Sequence, residues 1–73
     1  MMEFKILETS HNGKNFKIEE DYPEVGVYLY VYDDGKCIND YLQNDIKTCK
    51  ELALENFGVP LCSWKENDTS EGE

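Results

Sequence analysis

The most regular pattern of hydrophobic and polar positions in the chain runs from Val25 to Tyr32. Aliphatic residues alternate there with a glycine and three tyrosines, in the order Val-Gly-Val-Tyr-Leu-Tyr-Val-Tyr. Since successive side chains of a β-strand point to opposite faces, this segment predicts a strand with one aliphatic face and one tyrosine face. The aliphatic face is typical of a core. The tyrosine face, which carries Tyr28, Tyr30 and Tyr32, is amphipathic and is expected to meet a partner surface.

Two shorter apolar segments precede this strand and predict a β-hairpin. They cover Glu3–Thr9 and Asn15–Glu20 and are separated by a turn that contains Asn12 and Gly13. An Asn-Gly pair between two apolar segments is the strongest short-range signal for a hairpin. The third strand, Val25–Asp33, follows after an acidic connection. The first half of the chain therefore predicts three consecutive antiparallel strands.

The hairpin has two competing registers. A two-residue loop pairs Leu7 with Ile18 and leaves Phe4 and Ile6 on the opposite face from Ile18. A three-residue loop pairs Ile6 with Ile18 and brings the apolar residues of both strands to one face. Because register follows the hydrophobic pattern, we favour the three-residue loop. This choice leaves Leu7 on the tyrosine face.

Apolar residues at helical spacing follow the third strand after a tight turn over residues 33–36. Asp40 is a candidate N-cap, with Gln43 three residues later as in a capping box. Gly58 is placed to end the helix, and Pro60 prevents its continuation. The predicted helix therefore begins after Asp40. Its apolar stripe consists of Leu42, Ile46, Cys49, Ala53 and Phe57.

The order β-β-β-α predicts an α+β fold, a three-stranded antiparallel meander with one helix packed on one face. The expected core consists of the helix stripe and of Phe4, Ile6, Phe16, Ile18, Val25, Val27, Leu29 and Val31. We expect one domain over residues 1–64, ending in the apolar segment Val59–Trp64, and a disordered acidic tail over residues 65–73. Because one helix covers one face, the tyrosine face is left either to Val59–Trp64 or to another molecule.

Charge narrows the class of partner. Sixteen acidic residues against seven lysines give the 73-residue chain a net charge of −9. This field disfavours nucleic-acid phosphates and suits basic partners, or serves solubility alone. The sequence shows neither a signal-peptide pattern nor a long apolar segment, so we expect a cytoplasmic location and no membrane association.

Signals for catalysis and metal binding are weak. Cys37, Cys49 and Cys62 are odd in number and far apart, and together with His11 they lack the closely paired ligands of most structural zinc sites. His11 lies in the hairpin turn, with no recognisable nucleophile motif beside it. We therefore expect no catalytic residues, no cofactor and no metal, and three free thiols.

Three segments of the chain resemble segments of other proteins. They are the tyrosine-rich strand and turn over residues 27–36, the Asp40-Tyr41-Leu42-Gln43 helix start, and the ending Phe57-Gly58-Val59-Pro60-Leu61-Cys62-Ser63-Trp64. In these segments the chain resembles a group of small uncharacterised bacterial cytoplasmic proteins. The resemblance implies a small bacterial cytoplasmic domain, and it assigns neither an activity nor a residue role.

Two functions of different classes fit these features. The first is a non-catalytic acidic protein-interaction module that uses the tyrosine face to bind a protein partner or, as a homodimer, a second copy of itself. Its expected interaction residues are Tyr28, Tyr30, Tyr32, Leu7 and Trp64. The alternative is a small-ligand-binding or accessory enzyme domain with a pocket between sheet and helix.

Overall fold

A computed structural model describes residues 4–67 as an antiparallel sheet with one helix packed on it. The strands are β1 (Ile6–His11), β2 (Lys14–Glu20), β3 (Val27–Asp33), β4 (Lys36–Gln43) and β5 (Lys65–Asn67), and the helix is α1 (Ile46–Phe57). The strand order across the sheet is β4-β3-β2-β1-β5. The predicted α+β class is confirmed. The predicted count of three strands is too low, because β4 and β5 extend the three-stranded meander at its two edges.

The β1–β2 and β3–β4 hairpins close through two-residue turns with positive φ at each turn residue. The β1–β2 turn has φ values of 53° at Asn12 and 79° at Gly13, and the β3–β4 turn has 55° at Asp34 and 79° at Gly35. Positive φ at both positions defines a type I′ turn, whose twist matches the right-handed twist of the flanking strands. The second turn was predicted, but the strand that follows it was not.

The predicted register of the first hairpin is wrong. Leu7 pairs with Ile18, and Thr9 pairs with Phe16, as the two-residue loop requires. The preference of Asn-Gly for a type I′ turn outweighed the alignment of Phe4 and Ile6 with the other apolar residues. Since a shift of one residue moves every side chain to the other face, the change of register exchanges Ile6 for Leu7 in the core.

The core lies between the sheet and α1. Its buried side chains are Leu7, Phe16, Ile18, Val27, Leu29, Val31, Cys49, Ala53 and Val59. Six predicted members are absent from this buried set, and two of them, Ile46 and Phe57, are partly buried and pack against it. Phe4 and Ile6 are outside the buried set because the register of the first hairpin differs from the predicted one. Val25 is 39% exposed and lies in the turn before β3, and Leu42 is 51% exposed and belongs to an edge strand.

The helix begins later than predicted. Its N-cap is Asp45, whose carboxylate accepts a hydrogen bond of 2.8 Å from the backbone N–H of Thr48. Hydrogen bonding from the Thr48 side chain, together with this backbone hydrogen bond, lowers the pKa of the Asp45 carboxyl below its usual value. Asp40, the predicted N-cap, lies within β4. The helix ends as predicted, because Gly58 adopts φ 76° and donates its N–H to the carbonyl of Leu54.

The segment after α1 returns across the side of the sheet that the helix covers. Val59 is fully buried, and the Trp64 ring lies edge-on to Phe16 at a centroid distance of 6.4 Å. The chain then pairs with β1 through Lys65–Asn67. The predicted disordered tail is therefore wrong for residues 65–67. Its remainder, residues 68–73, lies outside the described residues, as do residues 1–3 of the predicted domain.

Candidate interaction face of the sheet

The tyrosine face is the side of the sheet that α1 does not cover. The helix packs against β2, β3 and β4 through Cys49 and Ala53, and Val59 completes the same buried cluster. Side chains alternate along β3, so Val27, Leu29 and Val31 point toward α1 and the three tyrosines point away. Within residues 4–67 the single helix therefore lies wholly on the other side.

The three tyrosine rings form a continuous stripe. Tyr28 and Tyr30 stack with ring centroids 5.7 Å apart and planes 15° apart. Tyr30 and Tyr32 follow at 6.4 Å and 38°. All three side chains are half-buried. Offset stacking restricts the rotation of each ring, so the stripe is a pre-ordered amphipathic surface.

Charged residues flank the centre of the stripe. Tyr30 lies opposite Lys17 on β2 and opposite Asp40 on β4, while Glu19 lies opposite Tyr28. Burial raises the pKa of the Tyr30 hydroxyl above its usual value, and the negative charge of Glu19, the neighbouring tyrosines and Asp40 raise it further. The centre of the face is thus aromatic and bordered by two carboxylates, with one lysine among these neighbours.

Two of the five predicted interaction residues do not lie on this face. Leu7 is only 7% exposed and pairs with Ile18 in the core, as the corrected register requires. Trp64 packs against the core cluster next to Phe16, and its indole Nε1 is buried without a hydrogen-bond partner within residues 4–67. The predicted face therefore retains its tyrosines and loses these two apolar residues.

The pairing of β4 residues with the tyrosines was not predicted from the sequence. Asp40, the predicted N-cap, and Leu42, predicted on the helix stripe, lie on β4 opposite Tyr30 and Tyr28. The signal that would have found them is Asp34-Gly35, a turn pair of the same kind as Asn12-Gly13. A hairpin turn at Asp34-Gly35 places the residues that follow it opposite β3, as the structure does.

Two depressions in the surface of residues 4–67 are open to solvent. The larger, of about 900 Å³, is lined by residues that include Thr9, Phe16 and Ser63, and no residue of α1 lines it. The smaller, of about 450 Å³, lies beside the first turn of α1, at Ile46 and Lys47. Neither depression extends along α1 between the helix and the sheet, where the ligand-binding alternative places its pocket.

The three thiols are free and occupy different environments. Cys37 and Cys62 are exposed, whereas Cys49 is fully buried with its Sγ 3.6 Å from the carbonyl oxygen of Val27. Burial raises the pKa of the Cys49 thiol to about 11, and the nearby Asp45 carboxylate contributes in the same direction. Cys49 is therefore protonated at neutral pH and acts as a small apolar core residue.

No family model matches the chain, and neither a curated protein nor a solved structure matches it. The resemblance to small bacterial cytoplasmic proteins thus stays a prediction. In residues 4–67, His, Cys, Asp and Glu side chains form no group of three or more that is suited to a metal ion. None of the helical structure in this range has the length and apolar character needed to cross a membrane.

Proposed function

We propose that this chain is a non-catalytic interaction module that binds a cationic protein surface through its tyrosine face. The observation that supports the proposal is the placement of α1 and Val59–Trp64 on one side of the sheet. The segment Val59–Trp64, which the sequence offered as a cover for the tyrosines, therefore packs on the opposite side of the sheet. The stripe is consequently left for a molecule other than the described part of this chain.

The chemistry of the stripe suits a protein interface. Tyrosine is enriched among the residues that dominate binding energy, because its ring offers a large contact area and its hydroxyl keeps a hydrogen-bonding group at the rim. The stacking of Tyr28 on Tyr30 and the tilted contact of Tyr30 with Tyr32 hold the rings in place before binding. Less side-chain entropy is therefore lost when a partner docks.

Charge favours a cationic partner over a second copy. A lysine or arginine placed over the Tyr30 ring would gain a cation–π contact, with the carboxylates of Glu19 and Asp40 close enough to add charge-assisted hydrogen bonds. Two copies of a chain with net charge −9 would instead repel each other during approach. A heteromeric complex is thus preferred to the homodimer.

The test is capture of a partner with three forms of the protein as bait. Wild type, Tyr30→Glu and Leu54→Glu are compared, since Leu54 is exposed on α1 and its substitution adds the same charge away from the tyrosine face. We expect wild type and Leu54→Glu to retain a basic protein that Tyr30→Glu loses. The affinity measured with the purified partner should fall as salt is added.

Two results would contradict the proposal. A partner retained equally by Tyr30→Glu would bind elsewhere on the chain. A wild-type dimer in light scattering that Tyr30→Glu converts to monomer would show that the face binds a second copy. Circular dichroism checks that Tyr30→Glu stays folded, and Tyr30→Ala replaces it in the comparison if it does not.

A further inference from the structure

The two edges of the sheet are protected to different degrees. At one edge β5 has three residues, and short edge strands offer little backbone to an incoming strand. At the other edge β4 has eight residues, and its outer side has no neighbouring strand within residues 4–67. The backbone N–H and C=O groups on that outer side are free to pair with another extended chain.

The side chains of β4 add to this asymmetry. Ile38 and Leu42 are 45% and 51% exposed, which is unusual for aliphatic residues on an edge strand. A bulge at Ile38 interrupts the pairing with β3, because Val31 lies opposite Asn39 and Tyr32 lies opposite Cys37. Bulges discourage strand addition where they occur. Beyond the bulge, the regular part of β4 over residues 39–43 remains available.

We propose that the outer edge of β4 binds an extended segment of another protein as a sixth strand, with a basic side chain opposite Asp40 and an apolar side chain opposite Leu42. Added strands gain affinity from backbone hydrogen bonds and specificity from alternate side chains. Asp40 and Leu42 are two positions apart on one face, so the partner needs a basic and an apolar residue at the same spacing. The proposal depends on the free backbone of β4 and holds even if the tyrosine face is unoccupied.

A second copy is a poor occupant of this edge. The antiparallel register that places Leu42 against Ile38 of another copy also places the two Asp40 carboxylates directly opposite each other. Like charges in that position are destabilising. The net charge of −9 on each copy adds repulsion at long range. A basic extended segment meets Asp40 with the opposite sign.

The test uses a synthetic probe with blocked ends, a lysine–valine peptide of about ten residues that repeats Lys-Thr-Val-Thr, so that lysine and valine lie two positions apart on one face. Titrated into ¹⁵N-labelled protein, it should slow amide hydrogen exchange in residues 39–43. Asp40→Lys should weaken its binding by about fivefold or more, since a favourable cross-strand pair becomes a repulsive one. Glu51→Lys changes the net charge equally on the exposed side of α1 and should leave affinity within about twofold.

Two further peptides separate strand addition from simple charge attraction. A lysine–valine probe with N-methyl groups on two consecutive central residues lacks a donor on each edge and should bind about tenfold more weakly. A glutamate–valine peptide should not bind. Equal binding of the N-methylated probe, or of the glutamate peptide, would overturn the proposal.

The remaining outcomes distinguish this edge from the tyrosine face. Protection that appears at β3 tyrosines without slowed exchange in β4 would assign the peptide to the tyrosine face and refute the edge proposal. Slow β4 exchange in a wild-type dimer before any probe is added would show that a second copy occupies the edge. If Tyr30→Glu loses its captured partner but still protects β4 with the peptide, both proposals stand as separate surfaces.

Discussion

At the scale of single residues, Cys49 shows how burial turns a reactive group into a structural one. Its thiol has no exposure, and the pKa is raised to about 11 from an ordinary value of 9.0. Cys37 and Cys62 are exposed and carry the same functional group. The environment alone thus separates one core residue from two surface thiols.

We predict that the raised pKa makes stability depend on pH in alkaline solution. Between about pH 9 and pH 11 the unfolded chain ionises Cys49 while the folded chain keeps the proton. The folded state then binds more protons, so the free energy of unfolding falls as pH rises through this range. Urea unfolding at several pH values should show a steeper loss for wild type than for Cys49→Ala. Parallel slopes for the two proteins would contradict the prediction.

At the scale of elements, the register of the β1–β2 hairpin decides which side of β1 is buried. We predict that Leu7→Ala lowers the free energy of unfolding by about 2–4 kcal/mol, because it empties space in the core. Ile6→Ala should cost less than half as much, since Ile6 is half-buried on the other face. Urea denaturation of both variants provides the comparison. A larger loss from Ile6→Ala would favour the three-residue loop.

The approach of β3 to β4 depends on a glycine. Gly26 has φ 117°, and a Cβ there would collide with the carbonyl oxygen of Gln43. We predict that Gly26→Ala forces the start of β3 away from the end of β4 and destabilises strongly. Gly35→Ala is the matched control: its φ is 79° with open space around it, so only the backbone conformation costs energy, about 1–2 kcal/mol. Thermal unfolding that ranks the two variants in the reverse order would contradict this.

The sequence predicted those elements whose pattern is reinforced by burial. Apolar and amphipathic side chains alternate along β3 because one face of the strand is buried. The helix α1 ends at Gly58 because that position requires the left-handed backbone conformation, which glycine adopts without strain. β4 has mostly exposed side chains, so it has no alternation to detect. Its residues Asp40 and Gln43 also imitate a capping box, and Leu42 falls in step with Ile46. Of the candidate face, the tyrosines were therefore predictable and their β4 neighbours were hidden by a stronger helical pattern.

At the scale of the whole molecule, the net charge acts across the entire fold. The principal extents are 36 × 26 × 24 Å. At about 0.01 M salt the screening length is about 30 Å, so charges on opposite sides repel each other, whereas at about 0.15 M it is about 8 Å. We predict that the melting temperature rises between these salt concentrations, because self-repulsion weakens.

A charge variant provides the control for this salt dependence. Glu51 and Glu55 are exposed on α1, and replacing both with lysine changes the net charge from −9 to −5, since each exchange adds two charges. The rise in melting temperature with salt should be smaller in Glu51→Lys/Glu55→Lys than in wild type. An equal rise in both proteins would assign the effect to the salt itself.

The internal position of β1, between β2 and β5, has a consequence for synthesis on the ribosome. β1 pairs with β2 on one side and with β5 on the other, so its second neighbour is made last. Strand pairs form within about 1–10 μs, but translation of the 24 residues from Asn44 to Asn67 takes about 1–5 s. During that interval the residues of β1–β4 have been synthesised, whereas the helix that buries Leu29 and the strand that completes the sheet have not. An incomplete chain exposes apolar side chains and an unpaired strand edge, and repulsion between its many acidic residues opposes aggregation.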